Sequence, residues 1–144
     1  MFKRLLLLIA LLGSARIGAA APEYIPIPGS DGSLPFSDAV RAGDLLFLSG
    51  KIGIDPATGK LVTGGIGKET RQTMDNIKAS LERIGSSLDM VVKCTVFLAD
   101  MAEWPAMNEV YRTYFKNPPA RSAFGANGIA LDARVEIECV AVMP

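Results

Sequence analysis

Hydrophobic positions along this chain switch between a period of about two and a period of about 3.6, and the switches mark out its elements. Residues 36–40 and the apolar run Leu45-Leu46-Phe47-Leu48, ending at Ser49-Gly50, predict two short strands turned by Ala42-Gly43-Asp44. Residues 55–60, Asp-Pro-Ala-Thr-Gly-Lys, predict a turn. Met74, Ile77, Leu81 and Ile84 then fall on one helical stripe, with Arg71, Asp75, Lys78 and Glu82 on the wet side, so a helix is expected from residue 66 or 67 to 84. Gly85 is a favourable stop for it. Residues 90–98 alternate and are rich in valine, which predicts a strand with Val92, Cys94, Val96 and Leu98 facing the core.

A second helix is expected from about Glu103, with Pro105 in its first turn and Trp104, Met107, Tyr111 and Tyr114 as its apolar stripe. Pro118-Pro119 stops it, and strands at 120–124 and 134–143 follow, separated by the loop Gly125-Ala126-Asn127-Gly128. Residues 21–35, broken by Pro22, Pro26, Pro28, Gly29 and Gly32, read as an extended lead-in without regular structure. The order β, β, α, β, α, β, β predicts an α+β domain with two helices on one face of a sheet.

The first twenty residues have a different pattern. Lys3 and Arg4 precede the run Leu5 to Leu12, and small residues follow at Gly18-Ala19-Ala20-Ala21. That is the layout of an export signal, and its apolar run falls far short of the roughly 20 residues a membrane span needs. Cleavage after Ala20 is expected, leaving one domain at 21–144 that is periplasmic or secreted and free of the membrane. The cut removes Lys3, Arg4 and Arg16 from 15 basic residues, leaving 12 against 15 acidic, a net charge of −3. A mildly acidic domain without basic runs offers no footprint for nucleic acid.

The chain contains no histidine. An imidazole base, a Ser-His-Asp triad and a His-ligated zinc are therefore excluded, and any catalysis must rest on a guanidinium, a carboxylate, backbone groups and water. Cys94 and Cys139, the two cysteines, lie in alternating strands beside aliphatic residues. Export permits a disulfide between them; the pattern is read here as two free, buried thiols, with no basic neighbour to make either a nucleophile.

Arg121 opens a strand after two prolines, a stiff approach that lowers the cost of aiming a guanidinium at a carboxylate. On spacing alone, a surface arginine on an edge strand is the favoured reading. Glu136 and Glu138 share the strand face opposite Val135, Ile137 and Cys139, and Lys93 and Thr95 give a neighbouring strand a similar polar face. Either solvent or another subunit would satisfy that face. Ser49-Gly50 could present a backbone N–H to a ligand, and Asn108 lies on the polar flank of the second helix.

Taken in order, Leu34-Pro35-Phe36-Ser37-Asp38-Ala39-Val40, Leu48-Ser49-Gly50-Lys51-Ile52-Gly53-Ile54-Asp55-Pro56, Asn76 within residues 70–81, and Lys93-Cys94-Thr95-Val96-Phe97-Leu98 resemble the Rid family of enamine/imine deaminases. The resemblance continues through Asn108-Glu109-Val110-Tyr111, Pro119-Ala120-Arg121-Ser122 and Val135-Glu136-Ile137-Glu138, so it spans residues 34–142. It implies a chorismate-mutase-like fold, a mixed β-sheet with two α-helices packed on one face. It implies a homotrimer with sites in the clefts between subunits, hydrolysing small 2-imino or enamine acids to 2-oxo acids and ammonia without metal or cofactor.

In that reading Arg121 grips the substrate carboxylate. Glu136, with the carbonyl of Ala123, positions the attacking water, and Ser49, Gly50, Asn108 and Phe36 lie near the pocket. Phe36 stands where many members have tyrosine, Ala123 where cysteine is frequent and Lys51 where glutamine is usual, and residues 124–130 depart from the common pattern. A trimeric module that binds small carboxylates without catalysis is the alternative; ribonuclease activity, attached to some relatives, is disfavoured by the acidic charge and absent histidine.

Overall fold

The structure, a computed structural model, describes residues 21–144; the expected export signal at 1–20 lies outside the described residues. One mixed sheet carries six strands: β1 (Glu23–Ile25), β2 (Ala39–Ala42), β3 (Leu45–Leu48), β6 (Val91–Leu98), β7 (Ala120–Gly125) and β8 (Val135–Val142). Their spatial order is β1-β2-β3-β8-β6-β7, with every pair antiparallel except β6 and β7. A two-stranded ribbon, β4 (Ile54–Asp55) and β5 (Lys60–Leu61), flanks the expected turn. Helices α1 (Ile66–Ile84) and α2 (Trp104–Tyr111) pack on one face of the sheet, which is the expected α+β arrangement.

The periodicities translate directly into burial. Met74, Ile77 and Leu81 of α1 and Met107 and Tyr111 of α2 are buried against Val96, Leu98, Val135, Ile137 and Ala141, and Arg71, Asp75, Lys78 and Glu82 are exposed. Gly85 ends α1 at φ 90°, and the N–H groups of Gly85 and Ser86 bond back to the Glu82 and Leu81 carbonyls. A left-handed residue there satisfies carbonyls the helix leaves open, and glycine adopts it without a Cβ penalty.

Four local expectations are corrected. The lead-in is not wholly irregular, because Glu23–Ile25 pairs with Arg41–Ala39 of β2 between the prolines at 22 and 26. The strand expected at 36–40 starts only at Ala39. Val92 points away from the core, because the register of β6 shifts between Val91 and Lys93 and gives the buried place to Val91. Cys94 and Cys139 are not free thiols: they face each other across β6 and β8 with Cα atoms 4.1 Å apart and are joined by a disulfide. The bond depends on two strands 45 residues apart being direct partners, and alternation within each strand says nothing of that.

Buried charges fix the segment between β3 and α1. The carboxylate of Asp38, almost fully buried, is held by both Lys51 and Arg83. Lys51 also exchanges two 2.9 Å backbone hydrogen bonds with Ile137 of β8. Asn76 of α1 donates to the carbonyls of Ile52 (3.0 Å) and Ile54 (2.8 Å). Glu69, buried at the start of α1, accepts the backbone N–H groups of Arg134 and Val135 at 2.6 and 3.3 Å, tying the helix to the start of β8. Buried carboxylates persist only with such partners, and here their partners lock the chain around Ser49 and Gly50.

Candidate active site

The sheet separates the expected site residues into two groups. Arg121 and Ala123 pair with Cys94 and Val96, whose side chains are buried on the helix-covered side, so both point that way. Glu136 pairs with Phe97 and alternates with the buried Val135 and Ile137, so it stands on the open face. Phe97 and Phe124 meet on the same open face with ring centroids 4.9 Å apart. Arg121 and Glu136 lie two strands and three residues apart in register, roughly 14 Å between Cα atoms from standard strand spacings. Within one protomer they do not share a pocket.

On the helix side, β7 and α2 aim Arg121 into a cavity of about 480 Å³. Its guanidinium carbon sits 4.8 Å from the centre of the Tyr111 ring, a cation–π stack. Phe115 supports that ring from a centroid distance of 5.0 Å. Tyr111 is buried; burial pushes its hydroxyl up to about 12, opposed by the nearby Arg121 charge. No hydrogen-bond partner reaches that hydroxyl among the described residues. Asn108, one helical turn before Arg112, shares the cavity wall with Pro118 and Pro119. The two prolines immediately precede the strand that carries Arg121. In the sequence Tyr111 belongs to an apolar stripe and to the motif Asn108-Glu109-Val110-Tyr111 with no site role of its own, and its spacing three residues after Asn108 is the signal that places it beside the site.

On the open face, Glu136 lies against Gly50: a Cβ at that glycine would come 1.9 Å from the carboxylate oxygen Oε1. Burial raises the Glu136 carboxyl above the ordinary glutamate value, and the neighbouring Glu138 charge adds to the rise. Ser49 donates its hydroxyl to the Ser37 carbonyl at 2.6 Å. Phe36, about half exposed, and Ser49 line a second cavity with Tyr24, Leu34 and Val40. Gly50 and Glu136 thus stand together on the open face, beside the cavity that Phe36 and Ser49 line, whereas Asn108 and Arg121 share the cavity on the helix side, towards which Ala123 also points. Large apolar side chains stand exposed around the open half, including Phe36, Phe47 and Phe124. Among the described residues no group of three or more Cys, Asp and Glu side chains is arranged to hold a metal ion.

Comparison with known proteins places the chain among relatives of the same fold. The family described as endoribonuclease L-PSP matches residues 31–143. A RutC family protein of Pyrococcus horikoshii is 48% identical over 108 residues, covering 74% of this chain and 86% of that protein. The 2-iminobutanoate/2-iminopropanoate deaminase of Homo sapiens is 41% identical over 116 residues, 80% of this chain and 83% of its own length. A crystal structure of a Rid protein family member from Yersinia pestis superposes with a TM-score of 0.79 at 37% identity, covering 85% of this chain and all of that one.

Proposed function

Because the chain belongs to the endoribonuclease L-PSP family, which includes the Rid proteins and the 2-iminobutanoate/2-iminopropanoate deaminases, we propose that it hydrolyses small 2-imino acids to 2-oxo acids and ammonia. The observation that carries the reading is the pairing of a stacked, pre-aimed guanidinium with a carboxylate of raised pKa, each on its own face of one sheet. Neither half acts alone. A ring of copies in which the β7–α2 edge of one subunit meets the open face of the next would join them, and a homotrimer is the assembly proposed. The exposed phenylalanines around the open half support a covered face.

In such a cleft Arg121 holds the substrate carboxylate through two parallel hydrogen bonds and presents the imine carbon. Water adds to that carbon while Glu136 accepts its proton. That proton passes to nitrogen, giving a carbon that bears a hydroxyl and an amino group. The hydroxyl proton then follows it to nitrogen by way of Glu136, the carbon–nitrogen bond breaks, and ammonia leaves as the carbonyl forms. An imine carbon is already electrophilic, so holding the reactants together carries most of the burden. We place the protein in the periplasm or outside the cell. The N-terminal pattern and the Cys94–Cys139 bond, of a kind rare where thiols are kept reduced, both support that placement.

One observation favours a second reading, a carboxylate-binding module without catalysis: Phe36 brings no hydroxyl to the open half-site. The test measures ammonia release from freshly generated 2-iminopropionate. Arg121→Ala and Glu136→Ala should each abolish the acceleration. Trimers mixed from equal amounts of the two variants should recover about a quarter of wild-type activity, the share of ring interfaces that combine an intact Arg121 face with an intact Glu136 face. Unchanged release by Arg121→Ala defeats the mechanism; inactive mixtures defeat the two-subunit site; wild-type binding of carboxylates without acceleration selects the binding module.

A further inference from the structure

We propose that the cavity beside Arg121 takes 2-imino acids with a second acidic group, and that Arg112 reads that second carboxylate; this rests on the deaminase reading above and names its substrate class. The domain is net acidic, yet this cavity is lined by two guanidinium groups and no carboxylate. The rest of its wall is uncharged: Phe115 and the prolines at 118 and 119 offer no side-chain hydrogen-bonding group, and Asn108 and Tyr111 are polar without charge. A second anion entering here meets Arg112.

The two arginines are held differently. Arg121 is partly buried and fixed over the Tyr111 ring, which suits a clamp for the carboxylate common to every substrate. Arg112 sits on α2's continuation one turn after Asn108, with Nε donating to the Asn108 carbonyl at 3.3 Å. Among the described residues its terminal nitrogen has only Glu109 as a partner, at 3.3 Å between side chains 66% and 71% exposed. Such an exposed pair contributes little, so a carboxylate inside the cavity displaces Glu109 at small cost. The volume of about 480 Å³ leaves room for a four- or five-carbon diacid beyond the three-carbon minimum.

Calorimetry on the whole chain with the stable products 2-oxoglutarate and 2-oxobutanoate tests the assignment. The diacid should bind about tenfold more tightly, the gain of one added charge-assisted hydrogen bond in a partly solvated site. Arg112→Gln should bring the ratio of affinities close to one, and Glu109→Gln, which removes the competing carboxylate, should widen it. Equal affinities in the wild type, or a preference that Arg112→Gln leaves in place, overturn the proposal. Hydrolysis of 2-iminoglutarate and 2-iminobutanoate, each made in place by an amino-acid oxidase, is followed in parallel. If neither imine is hydrolysed faster while the diacid preference persists, the deaminase reading fails and the recognition by Arg112 stands.

Discussion

Gly50 and Glu136 are packed so closely that no side chain fits between them: a Cβ on Gly50 would lie 1.9 Å from Oε1, 2.8 Å from Cδ and 3.0 Å from Cγ of the glutamate. The glycine is therefore required by space, since its φ is not in the left-handed region. It sits in a segment that cannot give way, with Lys51 bonded to Ile137 and Asp38 and with Asn76 holding the carbonyls that follow.

Gly50→Ala should accordingly push the Glu136 side chain aside. Overpacking of this kind costs about 1–3 kcal/mol, and the misplaced carboxylate should lower kcat by about 100-fold, as small displacements at reacting groups do. Thermal melting and steady-state hydrolysis on the same preparation check both. A variant with wild-type kcat would show that Glu136 acts from another position.

The raised Glu136 carboxyl has a signed consequence for pH. Activity that needs the ionised form should fall, on acidification, at a pH above the ordinary glutamate value. Glu138→Gln removes a like charge and stabilises the Glu136 anion, so the acid limb of kcat/KM should move to lower pH. Because the folded-state pKa is raised, the Glu136 contribution to folding is fully present below the unfolded value and is lost as pH rises through the folded one. Glu136→Gln should flatten that part of the stability profile. An acid limb unmoved by Glu138→Gln would remove Glu136 as the titrating group.

Tyr111 separates ring from hydroxyl. Its buried hydroxyl has no partner among the described residues, so Tyr111→Phe should leave stability equal or slightly higher and keep the platform under Arg121. Tyr111→Leu removes the platform and should raise KM several-fold, consistent with about 0.5–2 kcal/mol for a cation–π contact. Equal KM values for the two variants would mean that the stack does not position Arg121.

The Cys94–Cys139 bond closes a separation of 45 residues, for which chain entropy predicts about 4 kcal/mol of stabilisation. Cys94→Ala/Cys139→Ala should lower the urea midpoint accordingly, with a further loss from the small cavities left in the core. Both sulfurs are buried, so reductant should act only as denaturant opens the fold. A midpoint unaffected by removing both cysteines would rule out a stabilising crosslink.

Much of this architecture was legible because it is local. The stripe from Met74 to Ile84, the stop at Gly85 and the alternation from Val135 to Val142 depend only on near neighbours, and their periods state which side chains share a face. The exceptions arise where a neighbouring strand intervenes. Pairing with β2 turned residues 23–25 into a strand despite the prolines around them, and the shifted register in β6 exchanged Val92 for Val91. The ordered motifs identified a family and a short set of residues without revealing how those residues are distributed in space.

By itself, then, the sequence determined the element order, the wet and dry sides of each element, and the absence of any imidazole chemistry. The tertiary structure decided that Cys94 meets Cys139, that Tyr111 lies under Arg121, and that Arg121 and Glu136 occupy opposite faces of the sheet. The reason is physical: alternation fixes orientation within a strand, whereas the relation between two strands depends on which are neighbours and in what register. That choice is made by burial of the whole hydrophobic set at once, over separations of tens of residues, and no local pattern carries it.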